Sequence, residues 1–419
     1  MENISRNATV KVTYRNFSRQ RFLAIFLLCC STLNVHAAPH QALESSSALD
    51  KQIAATLDAL ASGEIHEARV LARQMAWRFP RYALAHLLSA ELESTAAFQD
   101  VRAADLNPMS QQLIDLLSEA QTRLKSAQKK ELDSESTASQ MLSVLPDTVI
   151  QVGKNLSSLL IVDLELSTIN HVIGNDQSPT LIRQHYVGSG KGGYGKQIEG
   201  DNKTPLGVYS ITGKRLDAGL PDLYGSGALT LNYPNALDRH LGKSGYGIWI
   251  HGVPHAQRSR APRSSEGCVT MSNDHMSSLM SQVNPTETLV ILTRGLHFSP
   301  ASIRREKQQS YQQLFTHFQQ TLLTGSEAQV AKLYDSSKKR HAQRRLASLL
   351  PYIANIEAHD LTIVMNPALP VTNQNSESRF LVMKAQFGPQ NEHQVTLYWR
   401  ELENGEWSIA TEVWNTPNT

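Results

Sequence analysis

Two side chains of this sequence, His251 and Cys268, have the types and the spacing for nucleophilic catalysis. A thiol attacks as its thiolate, whose free pKa is about 8.5, and a histidine within hydrogen-bond reach can remove the thiol proton. One loop rich in arginine and proline separates the two, and a tight turn at 265–267 precedes the cysteine. We expect two neighbouring strand ends to bring the pair together, with the N–H groups of Gly267 and Cys268 facing a developing oxyanion.

Two other interpretations use the same residues. His251, His255 and Cys268 would form a zinc set. Gly252 and Pro254, however, lie between the two histidines and oppose the helix that would align them. A papain-like protease places its cysteine early and its histidine far downstream, whereas here the histidine comes first. A cysteine nucleophile is therefore the first hypothesis, and neither a metal nor another cofactor is expected.

The first 37 residues have the pattern of a cleaved secretory signal, which predicts export to the periplasm. Five basic residues and one acidic residue precede an apolar run at 22–30, and Val35-His36-Ala37 suits a signal peptidase. The run is shorter than the roughly 20 residues that span a bilayer; an uncleaved anchor is the alternative. Cleavage would leave Cys268 as the sole thiol, either reactive or buried and inert.

The charge balance of the exported chain excludes a polycationic nucleic-acid binder. Of the 40 basic and 38 acidic residues, the signal contains five and one. The remaining chain is nearly neutral with a slight acidic excess, so no nucleic-acid partner is expected.

Composition and periodicity divide the rest of the chain into three regions, at 38–145, 146–294 and 308–419. The first is an α-helical region and linker, in which apolar residues recur at helical spacing before and after Pro80. The second is β-rich, with short apolar runs and frequent glycine. Its expected strands include 158–163, 180–187, 207–211 and 289–292.

The third region is predicted to be a small α+β domain. Its expected elements are helices at 311–323 and 327–334, and strands at 380–387, 394–400 and 407–413 with an Asn404-Gly405 turn before the last. Trp399, Trp407 and Trp414 are expected in its core, with a binding cleft as the alternative.

The segments around His251 and Cys268 together resemble the catalytic domain of the YkuD-type L,D-transpeptidases. The signature is His251-Gly252, a loop, and then Ser265-x-Gly267-Cys268. Further segments that resemble the family are Gly200 to Tyr209, Leu231 to Asn235 and Ile248 to Gly252. The resemblance extends over about residues 148–294, a third of the chain.

This resemblance implies a β-rich catalytic fold and a cysteine-dependent L,D-transpeptidase. Cys268 would attack the stem tetrapeptide of peptidoglycan, release D-alanine and pass the acyl group to an amine. His251 would be the base, the Gly252 carbonyl would orient its ring, and Gly267 would lie at the site. With water as the acceptor the enzyme would be an L,D-carboxypeptidase; a wall-binding scaffold without catalysis is a further alternative.

Five side chains are expected to line the substrate groove: Tyr233, Trp249, Arg263, Ser265 and Thr270. Strand core is the alternative for the two aromatic residues. Glu266 stands where many members of the family have histidine, and Thr270 where many have arginine. Because threonine lacks the charged fork that arginine offers a carboxylate, Arg263 is expected to bind that group. Ser272 and Asn273 are expected to cap the next helix.

The order of the three regions also resembles the helical-cell-shape L,D-carboxypeptidases. That resemblance implies a C-terminal α+β domain of the nuclear-transport-factor-like type. It also implies a cell-wall protein partner, or the wall itself, as the ligand of this domain.

Overall fold

The computed structural model describes residues 145–334 except 177, most of residues 360–415, residues 64–80, and scattered positions between 49 and 126. The predicted signal lies outside the described residues. The chain divides into two compact units, Met1–Pro80 with Ala85–Val101, and Arg81–Leu84 with Arg102–Thr419.

The first unit contains helix α1, Ile65–Arg78. Ala68, Ala72 and Met75 recur at helical spacing and are buried, and Leu92 packs against the same alanines. The Phe79 N–H donates to the Met75 carbonyl, and the helix ends before Pro80. The expected N-terminal helices are thus confirmed in the described part of this region.

An eight-stranded mixed sheet forms the middle of the chain, in the order β10-β8-β7-β6-β11-β2-β3-β4. Its strands are β2 Ser158–Asp163, β3 Thr168–Ile173, β4 Thr180–Tyr186, β6 Gly207–Leu216, β7 Gly227–Leu231, β8 Trp249–His251, β10 Val269–Thr270 and β11 Thr288–Thr293. The central strands β2 and β11 are parallel neighbours, buried along their whole length. Continuous apolar runs suit such positions because both faces of the sheet are covered.

Short elements complete this layer. Helix α2, Ala236–His240, begins at a capping box in which the Asn235 and Asp238 side chains each accept from the other's backbone N–H. Helix α3 is Asn273–Gln282, and strands β5, Ser189–Gly190, and β9, Arg263–Ser265, form a parallel pair.

A second sheet, in the order β1-β12-β15-β16-β17, contains the C-terminal strands. Its strands are β1 Val149–Gln151, β12 Thr362–Met365, β15 Phe380–Phe387, β16 His393–Glu401 and β17 Trp407–Asn415; β13 Val371–Asn373 pairs with β14 Ser376–Ser378. Helices α4, Ala301–Thr324, and α5, Glu327–Lys332, accompany it. Trp399 and Trp414 are buried in the core between helix α4 and this sheet, and Trp407 packs against that core.

The two sheets share a hydrophobic core. Val208 and Leu289 of the first sheet belong to the same buried cluster as Val364 and Val382 of the second. Strand β1 precedes the first sheet in the chain yet pairs with β12 of the second. Within the described residues, no helix combines the length and apolar character needed to cross a membrane.

Candidate active site

Parallel pairing of β8 and β10 brings the Cys268 segment next to the strand that carries His251, with Cys268 two positions before the level of His251 in the register. Thr270 lies opposite His251 in the register, and the Met271 N–H donates to the His251 carbonyl at 2.9 Å. Cys268 immediately precedes β10 and therefore lies beside β8. His251 and Cys268 are 17 positions apart in the sequence, and the two-residue ladder between β8 and β10 brings their segments together.

The His251 ring is held as a neutral base. Its Nδ1 lies 2.7 Å from the Gly252 carbonyl oxygen, an acceptor only, so Nδ1 carries the proton and Nε2 keeps its lone pair. The side chain is 3% exposed. Burial lowers the pKa of His251 to about 4, and the positive charge of Arg260 acts in the same direction.

Aromatic rings enclose the histidine. The Tyr224 ring lies edge-on to His251 with 5.0 Å between centroids, and 4.8 Å from the Trp249 ring. Tyr224 belongs to the 3-10 turn Asp222–Tyr224. Burial is the main cause that raises the pKa of its hydroxyl, and Tyr224 is in ring contact with both His251 and Trp249.

Cys268 is partly buried and rests as a thiol. Its Sγ lies 3.4 Å from the Gly247 carbonyl oxygen. Burial raises the pKa of the thiol; the Trp249 N–H and the Lys196 charge oppose that shift, while Glu266 reinforces it. A neutral thiol beside a neutral imidazole needs proton transfer to His251 before or during attack.

The turn before Cys268 is fixed by Ser265. The Ser265 Oγ donates to the Cys268 carbonyl at 2.6 Å and accepts from the Gly267 N–H at 3.1 Å. Gly267 has φ +132°, and a Cβ there would lie 2.9 Å from the Lys203 carbonyl, so only glycine fits. Because the Gly267 N–H is already used, the expectation that it faces an oxyanion is corrected, and the Cys268 N–H is the donor left for that role.

Asn273 is the residue that sequence reasoning misjudged most. Its Oδ1 accepts from the N–H groups of Ser226 and Val253 at 3.0 and 3.1 Å, and its Nδ2 donates to the Val253 carbonyl at 2.8 Å. A Cβ at Gly252 would lie 2.2 Å from this Oδ1. Asn273 thus fixes the His251-Gly252 turn from α3. Ser272 occupies the N-cap position, but its side chain makes no cap hydrogen bond.

Replacing Asn273 with alanine is expected to lower both stability and kcat. A buried donor left without an acceptor costs about 1–3 kcal/mol, and each kcal/mol lowers the Tm of a large domain by about 2–4 °C. Ser272→Ala is the matched control, since its hydroxyl has no partner among the described residues. Thermal unfolding and turnover measured on both variants check the prediction; an Asn273→Ala protein that behaves like Ser272→Ala would contradict it.

The residues predicted to line the substrate groove do not all reach it. Tyr233 is buried and its hydroxyl donates to the Ser244 carbonyl at 3.0 Å. Thr270 is 1% exposed and bonded through its backbone to Gly188. Both side chains are buried, Tyr233 in the core cluster after the end of β7 and Thr270 on β10, so neither is available for the expected contact with substrate. Ser265 is buried in the turn, Trp249 is partly exposed beside Tyr224, and Arg263 is exposed at the start of β9.

The loop between the strands is held by Glu119 and by the last residue of β4. Ser259 Oγ donates to Glu119 at 2.8 Å, and Tyr186 donates to the Arg260 carbonyl at 2.9 Å. The Arg123 guanidinium lies 4.1 Å from the centroid of the Tyr186 ring. These contacts set the backbone that carries Arg260, whose charge reaches His251. Nothing in the local sequence singles out Arg260 among its neighbours.

His255 belongs to a separate cluster. Its Nδ1 lies 2.6 Å from Asp222 Oδ1 and its Nε2 3.4 Å from Asp217 Oδ2. The hydrogen bond with Asp222 raises the pKa of His255. In the part of the chain that the structure describes, no three His, Cys, Asp or Glu side chains form a metal-holding group, so the zinc interpretation gains no support.

The pH profile is expected to report the buried imidazole. A base must be deprotonated, so activity is present above the pKa of His251 and is lost as pH falls through it, near pH 4 rather than near 6.5. Arg260→Gln should move this acidic limb upward, since it removes a cation that lowers the pKa. Measurement of kcat/KM against pH tests both points; an acidic limb near 6.5 would contradict them.

Comparison with known proteins gives one match to a family model. Residues 157–292 match the model of the L,D-transpeptidase catalytic domain, YkuD, which confirms the resemblance drawn from the motifs. No curated protein matches the chain. Among solved structures, the chain is similar to Bd1075 of Bdellovibrio bacteriovorus, with 20% identity, a TM-score of 0.48, and coverage of 66% of this chain and 98% of that one. It is also similar to the helical cell shape determining protein Pgp2 of Campylobacter jejuni, with 18% identity, a TM-score of 0.48, and coverage of 64% and 96%.

Proposed function

We propose, from the L,D-transpeptidase catalytic domain at residues 157–292, that this chain is a cysteine-dependent L,D-transpeptidase of the cell wall. Members of this family act on peptidoglycan stem peptides. The observation that carries the finer proposal is the parallel pairing of β8 with β10, which brings the segment of a partly buried thiol next to the strand that carries a buried, neutral imidazole.

The proposed reaction begins when His251 Nε2 takes the proton of the Cys268 thiol. The sulfur attacks the carbonyl carbon between the third stem residue and D-alanine, and the Cys268 N–H stabilises the oxyanion. The C–N bond breaks as protonated His251 returns its proton to the leaving amine. An acceptor amine then attacks the thioester, gives a new amide and restores the thiol.

An arginine of the 255–265 loop is proposed to bind the terminal carboxylate of the substrate. Thr270 is buried and cannot do so. Arg258 is engaged with Asp274 at 3.3 Å. Arg260 is partly buried and its charge reaches His251, whereas Arg263 is exposed at the rim. We therefore assign the main contact to Arg260 and a weaker one to Arg263.

Arg260→Ala is expected to raise KM roughly ten- to hundredfold, since a hydrogen bond to a charged group is worth about 1.5–3 kcal/mol. Arg263→Ala should raise KM less, and Arg258→Ala least. Steady-state kinetics are measured on a tetrapeptide and on its C-terminal amide, which lacks the carboxylate. If the arginines recognise that charge, the variants and the unaltered chain should have similar KM values on the amide, whereas structural damage would raise KM on both substrates. Unchanged KM values for Arg260→Ala and Arg263→Ala would contradict the assignment.

The function itself is tested with the purified chain lacking residues 1–37 and a disaccharide-tetrapeptide. A mass spectrum that shows crosslinked dimers and free D-alanine supports the transpeptidase. Disaccharide-tripeptide and D-alanine without dimers, even with an added amine acceptor, would identify the L,D-carboxypeptidase instead. No change in the substrate would favour the non-catalytic scaffold.

Two further parts of the proposal concern placement in the cell. The pattern of residues 1–37 supports export to the periplasm. The helices α4 and α5 followed by an antiparallel sheet support a nuclear-transport-factor-like C-terminal domain, which would bind the wall or a wall protein.

A further inference from the structure

A cavity of about 150 Å³ lies between the two sheets of the second unit. One wall comes from β6, β11 and the start of α2, and includes Val208, Ser210 and Leu289. The other wall comes from β12, β15, β16 and β17, and includes Lys384 and Tyr398. This cavity is separate from the catalytic site: Tyr209 and Ile211, which alternate with Val208 and Ser210, belong to the core around Ile250 and Val269.

The lining of the cavity is cationic. Lys384 and Arg239 contribute positive charge, and among the described residues no Asp or Glu side chain lines the cavity. Asp238, which precedes Arg239 in the chain, is buried and paired with Lys243 at 2.8 Å. Its charge is therefore already compensated.

Lys384 has no counter-ion among the described residues. It lies in the middle of β15, between Thr362 and Thr396 of the adjacent strands, on the face that the first sheet covers. Burial lowers its pKa, and no acidic neighbour opposes that effect. The side chain is only partly exposed, and an ammonium group that has lost part of its hydration is stabilised by an anion or a hydrogen-bond acceptor.

The other polar side chains of the lining can also donate. The Tyr398 hydroxyl and the Asn232 Nδ2 make no hydrogen bond within the described part of the chain, whereas Asn232 Oδ1 is occupied by the Ser210 N–H at 2.9 Å. Arg239 donates one N–H to the Pro234 carbonyl, and its other N–H groups can donate to a ligand. Apolar side chains, among them Val208, Leu289 and Val382, form the rest of the wall.

We propose that this cavity is a binding site for a small carboxylate with a short aliphatic body, whose oxygens meet Lys384, Arg239 and Tyr398. A water molecule occupies about 30 Å³ of liquid, so the volume suits a ligand of five to eight non-hydrogen atoms, by that order-of-magnitude comparison. The valine and leucine side chains would contact the aliphatic part. Because the two walls belong to different sheets, the ligand would join the catalytic layer to the C-terminal layer.

The experiment uses isovalerate as the probe, with isoamyl alcohol as its neutral analogue and inorganic phosphate as an oxyanion without an aliphatic body. Calorimetry and thermal unfolding are measured on the chain and on Lys384→Met, Arg239→Gln and the control Lys332→Met, whose lysine is exposed on α5. A peptide that ends in valine tests whether the carboxylate of a chain end also enters.

Isovalerate is expected to bind and raise the Tm, and the alcohol to do neither. Lys384→Met should weaken binding roughly ten- to hundredfold, while its unliganded Tm stays equal or rises, because an uncompensated charge is removed. Arg239→Gln should weaken binding less, and Lys332→Met not at all. Binding of the valine peptide would identify a chain end as a source of the carboxylate; isovalerate alone would point to a free metabolite.

Several results would overturn the proposal. These are the absence of isovalerate binding, equal binding by Lys384→Met and the unaltered chain, or equal binding of the alcohol. Phosphate binding without isovalerate binding would overturn the assignment to a carboxylate.

Discussion

Replacing Cys268 with alanine is expected to abolish release of D-alanine and leave the fold intact. The side chain is small, and the hydrogen bonds that fix its turn come from Ser265 Oγ to backbone groups, so the variant keeps them. Without the sulfur no thioester forms, and the buried imidazole of His251 has no proton to remove. Turnover of a disaccharide-tetrapeptide and the Tm of both proteins check the prediction.

Thiol alkylation provides the matched control. In the chain without residues 1–37, Cys268 is the only thiol. Iodoacetamide should therefore modify one site, and the loss of activity should be proportional to the fraction of chains modified. Full activity in Cys268→Ala, or in the alkylated protein, would eliminate the cysteine mechanism and revive a scaffold or a different nucleophile.

Replacing His251 with alanine is expected to lower kcat by about 10²–10⁴-fold, the range for a positioned acid–base group. The ring contributes its Nε2 as base because Nδ1 is engaged with the Gly252 carbonyl. KM should change little, since the ring is buried behind Tyr224 and Trp249 and offers no charge to bind substrate. Single-turnover acylation followed by steady-state kinetics separates the two effects.

His255→Ala serves as the control for His251→Ala. His255 is exposed and held by Asp222 and Asp217, and it does not take part in the pairing of β8 with β10. Its loss should alter rates by no more than a few-fold, as for other exposed positions outside buried networks. The opposite ranking of the two variants would show that the base is wrongly assigned, and inhibition by chelators with recovery on adding zinc would restore the metal interpretation.

The strands that follow continuous apolar runs could be predicted from sequence. Ser158–Asp163 and Phe380–Phe387 have the predicted bounds, because buried strands with short polar flanks leave an unambiguous pattern. Strand β3 has no such pattern. Its Asn170 and His171 are buried and have hydrogen-bond partners in Gln184 and Ser158, at 2.9 Å each, and a local sequence pattern does not show such partners.

A local sequence pattern also does not predict which distant strands pair with each other. Val149–Gln151 has an ordinary β-like sequence, and only the folded chain shows that it pairs with Thr362–Met365 rather than with the catalytic sheet. Its neighbour Gly153 lies so close to the Asp360 carbonyl that a Cβ would approach it to 2.6 Å. The sequence shows the glycine but not the approaching strand.

Some residues of the candidate site could be predicted from sequence, and others could not. His251, Gly252 and Cys268 could be identified because motif residues adjoin them in sequence. Asn273 could not, since an asparagine at a helix start is usually a cap. Its actual contacts are with segments at 226 and 253, which only the tertiary fold brings near.

The most direct test of the cysteine mechanism is the covalent intermediate. The chain lacking residues 1–37 is mixed with a disaccharide-tetrapeptide, quenched in acid within the first turnover, and digested for peptide mass mapping. The mechanism predicts one added mass, that of the disaccharide-tripeptide acyl group, on the peptide containing Cys268, together with one D-alanine released per acylated chain. Release of D-alanine with no adduct at any quench time, or an adduct on another residue, would contradict it.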